Sequence, residues 1–283
     1  MIELAFIIID EPFNWLPGTT LTDQTDTSCD KAGKFAFVAH GWRSSNSPWI
    51  TKLIEKLLVY RGGCVIAIDW GFYADNPNYL MIINRDWQKV SDVLTERLKS
   101  LEREGVSPDN IFMYGHSLGA RLVIDAGLKF GPNKIFQIDV CDSAGPGFLF
   151  YDLLNEPKNA AQNVQCILTS MDGGTTFKNC HQNWLMGICG LVQPASPNYL
   201  CLLTSICTAV DEKISHNLCN DFYISAFENN FVANNRYECP SAMNIEELPE
   251  NFKMGYMETR RSSAIQGNIP APTSRSYPYN VIS

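Results

Sequence analysis

The run Asn110-Ile111-Phe112-Met113-Tyr114-Gly115-His116-Ser117-Leu118-Gly119-Ala120 constrains the fold of this chain more than any other stretch. Its first five residues read as a short buried strand. From residue 118 to 129 apolar side chains recur at helical spacing, at Leu118, Leu122, Val123, Ala126 and Leu128. A strand and a helix that meet at one serine between two glycines form the pattern of a nucleophile elbow. The serine at such a corner has a strained backbone, and its neighbours approach too closely to carry β-carbons, hence the glycines. Its hydroxyl then stands at the N-terminus of the helix, where the amide of Leu118 can help to bind an oxyanion. An ordinary strand-to-helix turn can show the same short pattern, so the flanking sequence has to decide.

That context alternates. Residues 34–39 and 64–70 are apolar runs that end in His40-Gly41-Trp42 and Asp69-Trp70-Gly71. Between them, residues 49–60 place Trp49, Ile50, Leu53, Ile54, Leu57 and Leu58 on one helical face. Residues 84–104 do the same with Trp87, Val90, Val93, Leu94, Leu98 and Leu101, and residues 134–140 and 164–169 are further strands. Strand and helix in alternation predict an α/β fold: a mostly parallel central sheet flanked by helices, with ligands beyond the carboxyl ends of the strands. With 283 residues, one domain spanning 1–283 is expected. Residues 195–213 break the pattern and crowd Tyr199, Leu200, Leu202, Leu203 and Ile206 together. They read equally as a buried helix or as a mobile apolar lid over the site, because periodicity does not separate the two. Beyond Arg236 the chain is irregular and proline-rich, with short strands expected at 252–257 and 277–281.

The chain carries 22 basic and 30 acidic residues, a net charge of −8. Nucleic acid is therefore not an expected partner, and any membrane contact has to be hydrophobic rather than charge-driven. Ten cysteines without a Cys-x-x-Cys pair indicate a secreted, disulfide-bearing protein rather than a metal site. No cofactor and no metal are expected. Nearness in sequence suggests the pairs Cys29 with Cys64, Cys180 with Cys189, Cys201 with Cys207 and Cys219 with Cys239, leaving Cys141 and Cys166 within strands. Residues 1–9 are apolar but include Glu3, lack a basic start and have no small-residue cleavage site, so no signal peptide is read there. No run approaches 18 apolar residues, and no Asn-x-Ser/Thr sequon occurs.

A serine hydroxyl needs a base, usually a histidine oriented by a carboxylate. Of the four histidines, His116 abuts Ser117 and points elsewhere from the elbow, and His40 is better placed to shape an oxyanion loop. His181 could be an edge-strand residue. His216, just before the helical run 219–227, is the favoured base, since in α/β-hydrolases this residue comes from a loop before the last helix. The acid is Asp142, after the strand next to the elbow strand, or Asp172, one strand later; Asp139 lies inside its strand and is structural. Both candidates satisfy the order serine, acid, histidine, and the chemistry leaves them tied.

The segments His40-Gly41-Trp42, Gly115-His116-Ser117-Leu118-Gly119-Ala120, Asp142-Ser143-Ala144-Gly145-Pro146 and Ser215-His216 with the helix after it resemble the pancreatic-lipase-like animal lipases, in particular the small secreted insect members. The resemblance covers about residues 30–240. It implies an α/β-hydrolase fold and a triad of Ser117, Asp142 and His216, because in that family the acid follows the strand next to the elbow strand. It also implies an oxyanion hole made by the backbone amides of Trp42 and Leu118. Ser143 stands where the family has proline, and Ile214 stands where it often has a lid cysteine, which suggests a lid fastened otherwise, by Cys201 and Cys207. Leu200, Leu202, Leu203 and Ile206 become lid and lipid-contact candidates.

The short loop 171–179 resembles that of members that cleave phospholipids at the first acyl position. A phospholipase A1-like lipase acting at a lipid interface is expected, monomeric and extracellular. No C-terminal sandwich domain and no colipase are expected. The alternatives are a triacylglycerol lipase, a soluble short-chain esterase, or a catalytically silent lipid-binding or yolk-type storage protein.

Overall fold

The computed structural model describes residues 5–10, 14–20, 29–171, 173–196, 209–256 and 265–281. The chain divides into two compact units, Met1–Ile138 with Pro157–Gln162 and Asp139–Glu156 with Asn163–Ser283.

The first unit is a sheet with the strand order β5-β3-β4-β1-β2. Its strands are β1 (Ala5–Asp10), β2 (Asn14–Thr20), β3 (Phe35–Ala39), β4 (Cys64–Asp69) and β5 (Ile111–His116). β3 pairs in parallel with both β4 and β5, while β1 runs antiparallel to β4 and to β2. Every residue of β3 and β5 is buried, which is why both read as unbroken apolar runs rather than alternating ones. The helix Pro48–Tyr60 starts on proline, whose missing amide costs nothing in a first turn, and buries Ile50, Leu53, Ile54, Leu57 and Leu58. The helix expected over 84–104 is two elements: a π-helical turn, Ile82–Asp86, runs into the α-helix Trp87–Arg103. Leu118–Phe130 follows β5 directly and is buried on nearly every side. At Gly127 a β-carbon would lie 2.6 Å from the carbonyl oxygen of Ala160, so the helix sits flush on the segment Pro157–Ala160. The bridge Cys29–Cys64 is present as expected.

Strand β6 (Ile135–Cys141) carries the chain into the second unit, where the order is β11-β8-β7-β6. Here β7 (Ala161–Leu168) and β8 (Gln182–Met186) are parallel, and β11 (Gly267–Ala271) adds to β8 in parallel. β9 (Phe231–Val232) and β10 (Lys253–Met254) form a small antiparallel pair, which reduces the strand expected over 252–257 to two residues. Residues 277–281 are not a strand, and only an isolated bridge joins Thr273 to Asn280. β11 escapes notice in the sequence because Gly267 and Pro270 disguise it. As an edge strand it tolerates a proline, which has no amide to give to a ladder.

Of the four cysteine pairs expected from nearness in sequence, two are overturned. Cys180 bridges to Cys166 and not to Cys189, since β7 and β8 are neighbours and bring the two together. Cys189 bridges to Cys239, and Cys219 bridges to Cys141 at the end of β6. Cys141 and Cys166, left unpaired within strands by the sequence, are thus both disulfide partners. Cys201 and Cys207 lie outside the described residues. Parallel strands alternating with helices, and an elbow between β5 and its helix, make this an α/β-hydrolase fold.

Candidate active site

The elbow is built from the first unit. Ser117 has φ 57° and ψ −121°, a conformation that costs a non-glycine residue free energy and that persists only where its surroundings impose it. Those surroundings leave no spare volume. A β-carbon at Gly115 would lie 2.4 Å from the carbonyl oxygen of Gly119, and one at Gly119 would lie 2.3 Å from that of Ala39 and 2.5 Å from that of His40. The glycines therefore let the helix N-terminus pack onto the end of β3. The register of β3 on β5, with Ala39 opposite Gly115, delivers the His40-Gly41-Trp42 turn to the elbow. At Gly41 a β-carbon would lie 2.6 Å from Ser117 Cβ and 3.2 Å from its Oγ. Leu118 opens its helix, and an amide in a first turn has no intrahelical acceptor.

The turn is held from behind. The indole of Trp42 donates to the carbonyl of Asn76 at 2.8 Å and rests on Tyr79, ring centroids 5.1 Å apart. Burial raises the Tyr79 pKa to about 12, so the phenol stays neutral. Trp70 donates through its indole to the carbonyl of His40 at 2.9 Å and stacks on the imidazole. Burial lowers the His40 pKa, against the raising effects of the Gly41 carbonyl and the charges of Asp69 and Asp75. His40 is thus a neutral wedge under the oxyanion turn. His116 is also buried and packs edge-on to Trp49, away from any role as base.

The acid and base candidates meet in the second unit. His216 Nδ1 donates to Asp142 Oδ2 at 2.6 Å. Asp142 follows β6 directly, with φ 44°, so the chain turns sharply as it leaves the strand. Its other oxygen, Oδ1, accepts from the amides of Thr169 at 2.7 Å and Ser170 at 3.1 Å, while Oδ2 also accepts from Ser170 Oγ at 2.5 Å. Ser170 Oγ in turn accepts from the amide of Gly174 at 3.0 Å. A buried carboxylate that takes four donors is fixed in place, and because it accepts only, the proton of the imidazole is on Nδ1. In that tautomer the ring lone pair is on Nε2.

Two expectations about this region need revising. His216 lies within the helix Ala209–Ser225 and not in a loop before it, since Ala209 to Lys213 are mostly good helix formers that extend the helix N-terminally. His181 precedes β8, an interior strand, and its Nδ1 accepts from the amide of Val164 at 3.0 Å, a strand-to-strand tie. Asp139 is structural as expected, with its Oδ2 accepting from the Tyr223 hydroxyl at 2.5 Å. Asp172 and the lid candidates Leu200, Leu202, Leu203 and Ile206 lie outside the described residues.

Sequence reasoning missed the frame of the pair. Gln193 is fully buried, donates to the carbonyls of Thr169 at 2.9 Å and Met186 at 3.0 Å, and accepts from Thr273 Oγ1 at 2.9 Å. Its amide donates to Ser215 Oγ at 3.2 Å, next to the base. Gly173 and Gly174 give the pair room: a β-carbon would lie 2.9 Å from His216 Cγ at the first and 2.5 Å from Asp142 Oδ1 at the second. The adjacent glycines were the signal for this close approach. Among the described residues, no cluster of histidine, cysteine and carboxylate side chains could hold a metal ion.

A family model described as Lipase matches residues 10–177, more than half of the chain. The chain belongs to this lipase family. Lipase member H of Danio rerio is 35% identical over 114 residues, which cover 40% of this chain and 25% of that protein. Lipase member H-A of Xenopus laevis is 31% identical over 145 residues, 50% of this chain and 31% of that one. Pancreatic lipase-related protein 2 of Bos taurus is 31% identical over 117 residues, 41% and 24% of the two chains. The matches thus span about a quarter to a third of these lipase relatives, and the expected likeness to animal lipases is borne out. Among solved structures, the chain is similar to alpha/beta hydrolase domain-containing protein 10 from mouse, with 12% identity over 60% of this chain and 75% of that one and a TM-score of 0.35. Esterase PE8 is similar with 17% identity over 48% and 68% and a TM-score of 0.37.

Proposed function

We propose that this member of the lipase family hydrolyses carboxylic esters of lipids, in the manner of a phospholipase A1, with Ser117 as nucleophile, His216 as base and Asp142 as its orienting acid. The observation that carries this reading is the Asp142–His216 pair, in a chain that also forms an elbow at a strained serine. An elbow presents a strained serine beside amide donors but needs a base, and in the Asp142–His216 pair Nδ1 faces the carboxylate, the orientation in which Nε2 serves as the base. In the reaction Ser117 Oγ attacks the ester carbonyl as Nε2 accepts its proton, and the amides of Leu118 and Trp42 stabilise the oxyanion. The imidazolium then protonates the leaving alcohol. Water repeats the sequence on the acyl-enzyme and releases the fatty acid. Asp142 holds the imidazole tautomer and stabilises its positive charge without taking the proton itself.

A lipid interface as the place of work is supported by the segment after the acid. From Pro146 to Leu154 the only ionisable side chain besides Tyr151 is Asp152, which is buried and accepts from Thr175 Oγ1 at 2.8 Å. Leu149, Phe150, Leu153 and Leu154 point outward, Phe150 77% and Leu154 82% exposed. The helix Leu149–Leu154 is therefore inverted, with its charge inside and its apolar residues outside, which suits contact with an uncharged or zwitterionic lipid surface. Four disulfides among the described residues support an extracellular location. We take the working form to be a monomer.

The test is hydrolysis of phosphatidylcholine, triolein and a soluble butyrate ester by the protein and by Ser117→Ala. Preference for phosphatidylcholine, release of the first acyl chain and loss of activity in the variant are expected. Preference for triolein moves the substrate class, turnover of the butyrate ester alone makes it a soluble esterase, and no turnover of any ester leaves a silent storage or binding protein.

A further inference from the structure

The helix that carries His216 is tied to β6 and to Asp142 just after it at three successive levels. His216 meets Asp142, Cys219 is disulfide-bonded to Cys141, and Tyr223 donates to Asp139. Positions 216, 219 and 223 are spaced three and four apart, so they lie along one helical stripe. Positions 141 and 139 lie at the end of β6, and 142 follows it directly. Cys141 and Cys219 are both fully buried, and Asp139 and Tyr223 are likewise shut off from water.

The covalent rung adjoins the chemistry. Cys141 is bonded to Asp142 through one peptide link, and Cys219 is one helical turn from His216. Together with the His216–Asp142 hydrogen bond, the disulfide closes a small ring around the acid and the base. Ordinary helix packing lets a helix slide or rotate by an ångström or more, and a misplacement of about 1 Å costs on the order of 100-fold in rate. The remaining bridges of this unit do nothing comparable. Cys189–Cys239 closes a loop of similar span, 50 residues against 78, but neither of its cysteines adjoins the acid or the base.

We propose that Cys141, Cys219, Tyr223 and Asp139 are positioning residues for ester hydrolysis: the disulfide and the rung below it lock the His216 helix onto β6, so that the acid and base stay in register through turnover. This rests on the reading of Asp142 and His216 as acid and base. The residues touch no substrate and act through the imidazole alone. Both bridges constrain the unfolded chain to a similar degree, since closure entropy grows only with the logarithm of loop length, so their removal should cost similar stability. Their effects on turnover should differ.

The experiment compares Cys141→Ala/Cys219→Ala with Cys189→Ala/Cys239→Ala. Thermal midpoints, kcat and KM on a soluble butyrate ester, and the low-field proton resonance of the His216 Nδ1–H are measured on each. Both variants are expected to lose thermal stability to a similar extent. Only the first should lose kcat, by about 10- to 100-fold with KM changed less than about 2-fold, and only the first should lose or broaden the low-field resonance. Wild-type kcat and an intact resonance in the first variant overturn the proposal, and so does an equal loss of kcat in both, which means general loosening. Should the first variant fail to fold, Tyr223→Phe carries the test. It trims one hydroxyl from the next rung and must broaden the resonance and lower kcat by about 2- to 5-fold, and an unchanged resonance overturns the proposal. If the wild-type protein cleaves no ester, the functional reading fails, yet the resonance still tests the lock.

Discussion

Gly174→Ala adds one methyl group and removes no functional atom, so it isolates the effect of position on the acid. The β-carbon would stand 2.5 Å from Asp142 Oδ1 and 2.6 Å from both Cγ and Oδ2. Ordinary contact at such a site begins near 3.4 Å, so the carboxylate or its loop has to retreat by about 0.9 Å. The loop has little freedom to do so. Thr175 donates through its amide to the carbonyl of Ser143 at 2.7 Å, Gly145 to that of Gly173 at 3.1 Å, and the Gly174 amide itself holds Ser170 Oγ. The displacement therefore falls on the carboxylate, whose bond to His216 lengthens from 2.6 Å to well beyond 3 Å. A shift of this size in a group that orients the base lowers kcat by about 100-fold, while substrate binding is untouched and KM stays within about 2-fold.

The assay is steady-state kinetics on a soluble butyrate ester with thermal denaturation beside it. Gly62→Ala serves as the control, because its φ of 67° strains a β-carbon that otherwise meets nothing. It should cost stability on the order of 1 kcal/mol and leave kcat alone. If Gly174→Ala keeps kcat within about 3-fold of wild type, the Asp142 carboxylate does not orient the catalytic base.

Other expectations follow from the same contacts. Gly41→Ala sets a methyl 2.6 Å from Ser117 Cβ and should reduce fluorophosphonate labelling and kcat by about 100-fold or more. Gln193→Ala leaves the carbonyls of Thr169 and Met186 and the hydroxyl of Thr273 without their partner and should lower stability by about 2–4 kcal/mol in urea denaturation. The lowered pKa of His40 implies a pH dependence: above its ordinary value near 6.5 the folded and unfolded states are both neutral there. Below it the unfolded chain takes up a proton that the folded one refuses. Stability should therefore fall as pH drops below about 6.5, and His40→Phe should flatten that part of the profile. Phe150→Asp with Leu154→Asp should reduce hydrolysis of phosphatidylcholine vesicles by about 10-fold or more and leave butyrate hydrolysis within about 2-fold, and equal losses on both would remove the helix Leu149–Leu154 from any lipid contact.

The elbow was legible because its demands are local: a serine forced to positive φ needs glycines on either side, and they are visible as letters. The parallel strands were legible for a similar reason, since burial on both faces turns β3 and β5 into plain apolar runs. What escaped was set by distant partners. Cys141 and Cys166 read as strand residues because nothing nearby hints at the helix or the strand that brings Cys219 and Cys180 to them. β11 carries a proline that argues against a strand until its place at the sheet edge is known. Ser170 and Gln193 are common polar residues whose roles appear only once their acceptors converge. The chemistry and the chain order left Asp142 and Asp172 tied, the family resemblance favoured Asp142, and it is Asp142 that holds His216.

The proposed function requires that Ser117, His216 and Asp142 act in one reaction. Peptide mass spectrometry after reaction with a fluorophosphonate in zwitterionic detergent tests it most directly, with wild type and His216→Ala compared at matched times. An adduct on Ser117 is expected in the wild type, with labelling slower by about 1,000-fold or more in His216→Ala. An adduct that forms on Ser117 equally fast without His216, or no adduct in the wild type at all, would contradict it.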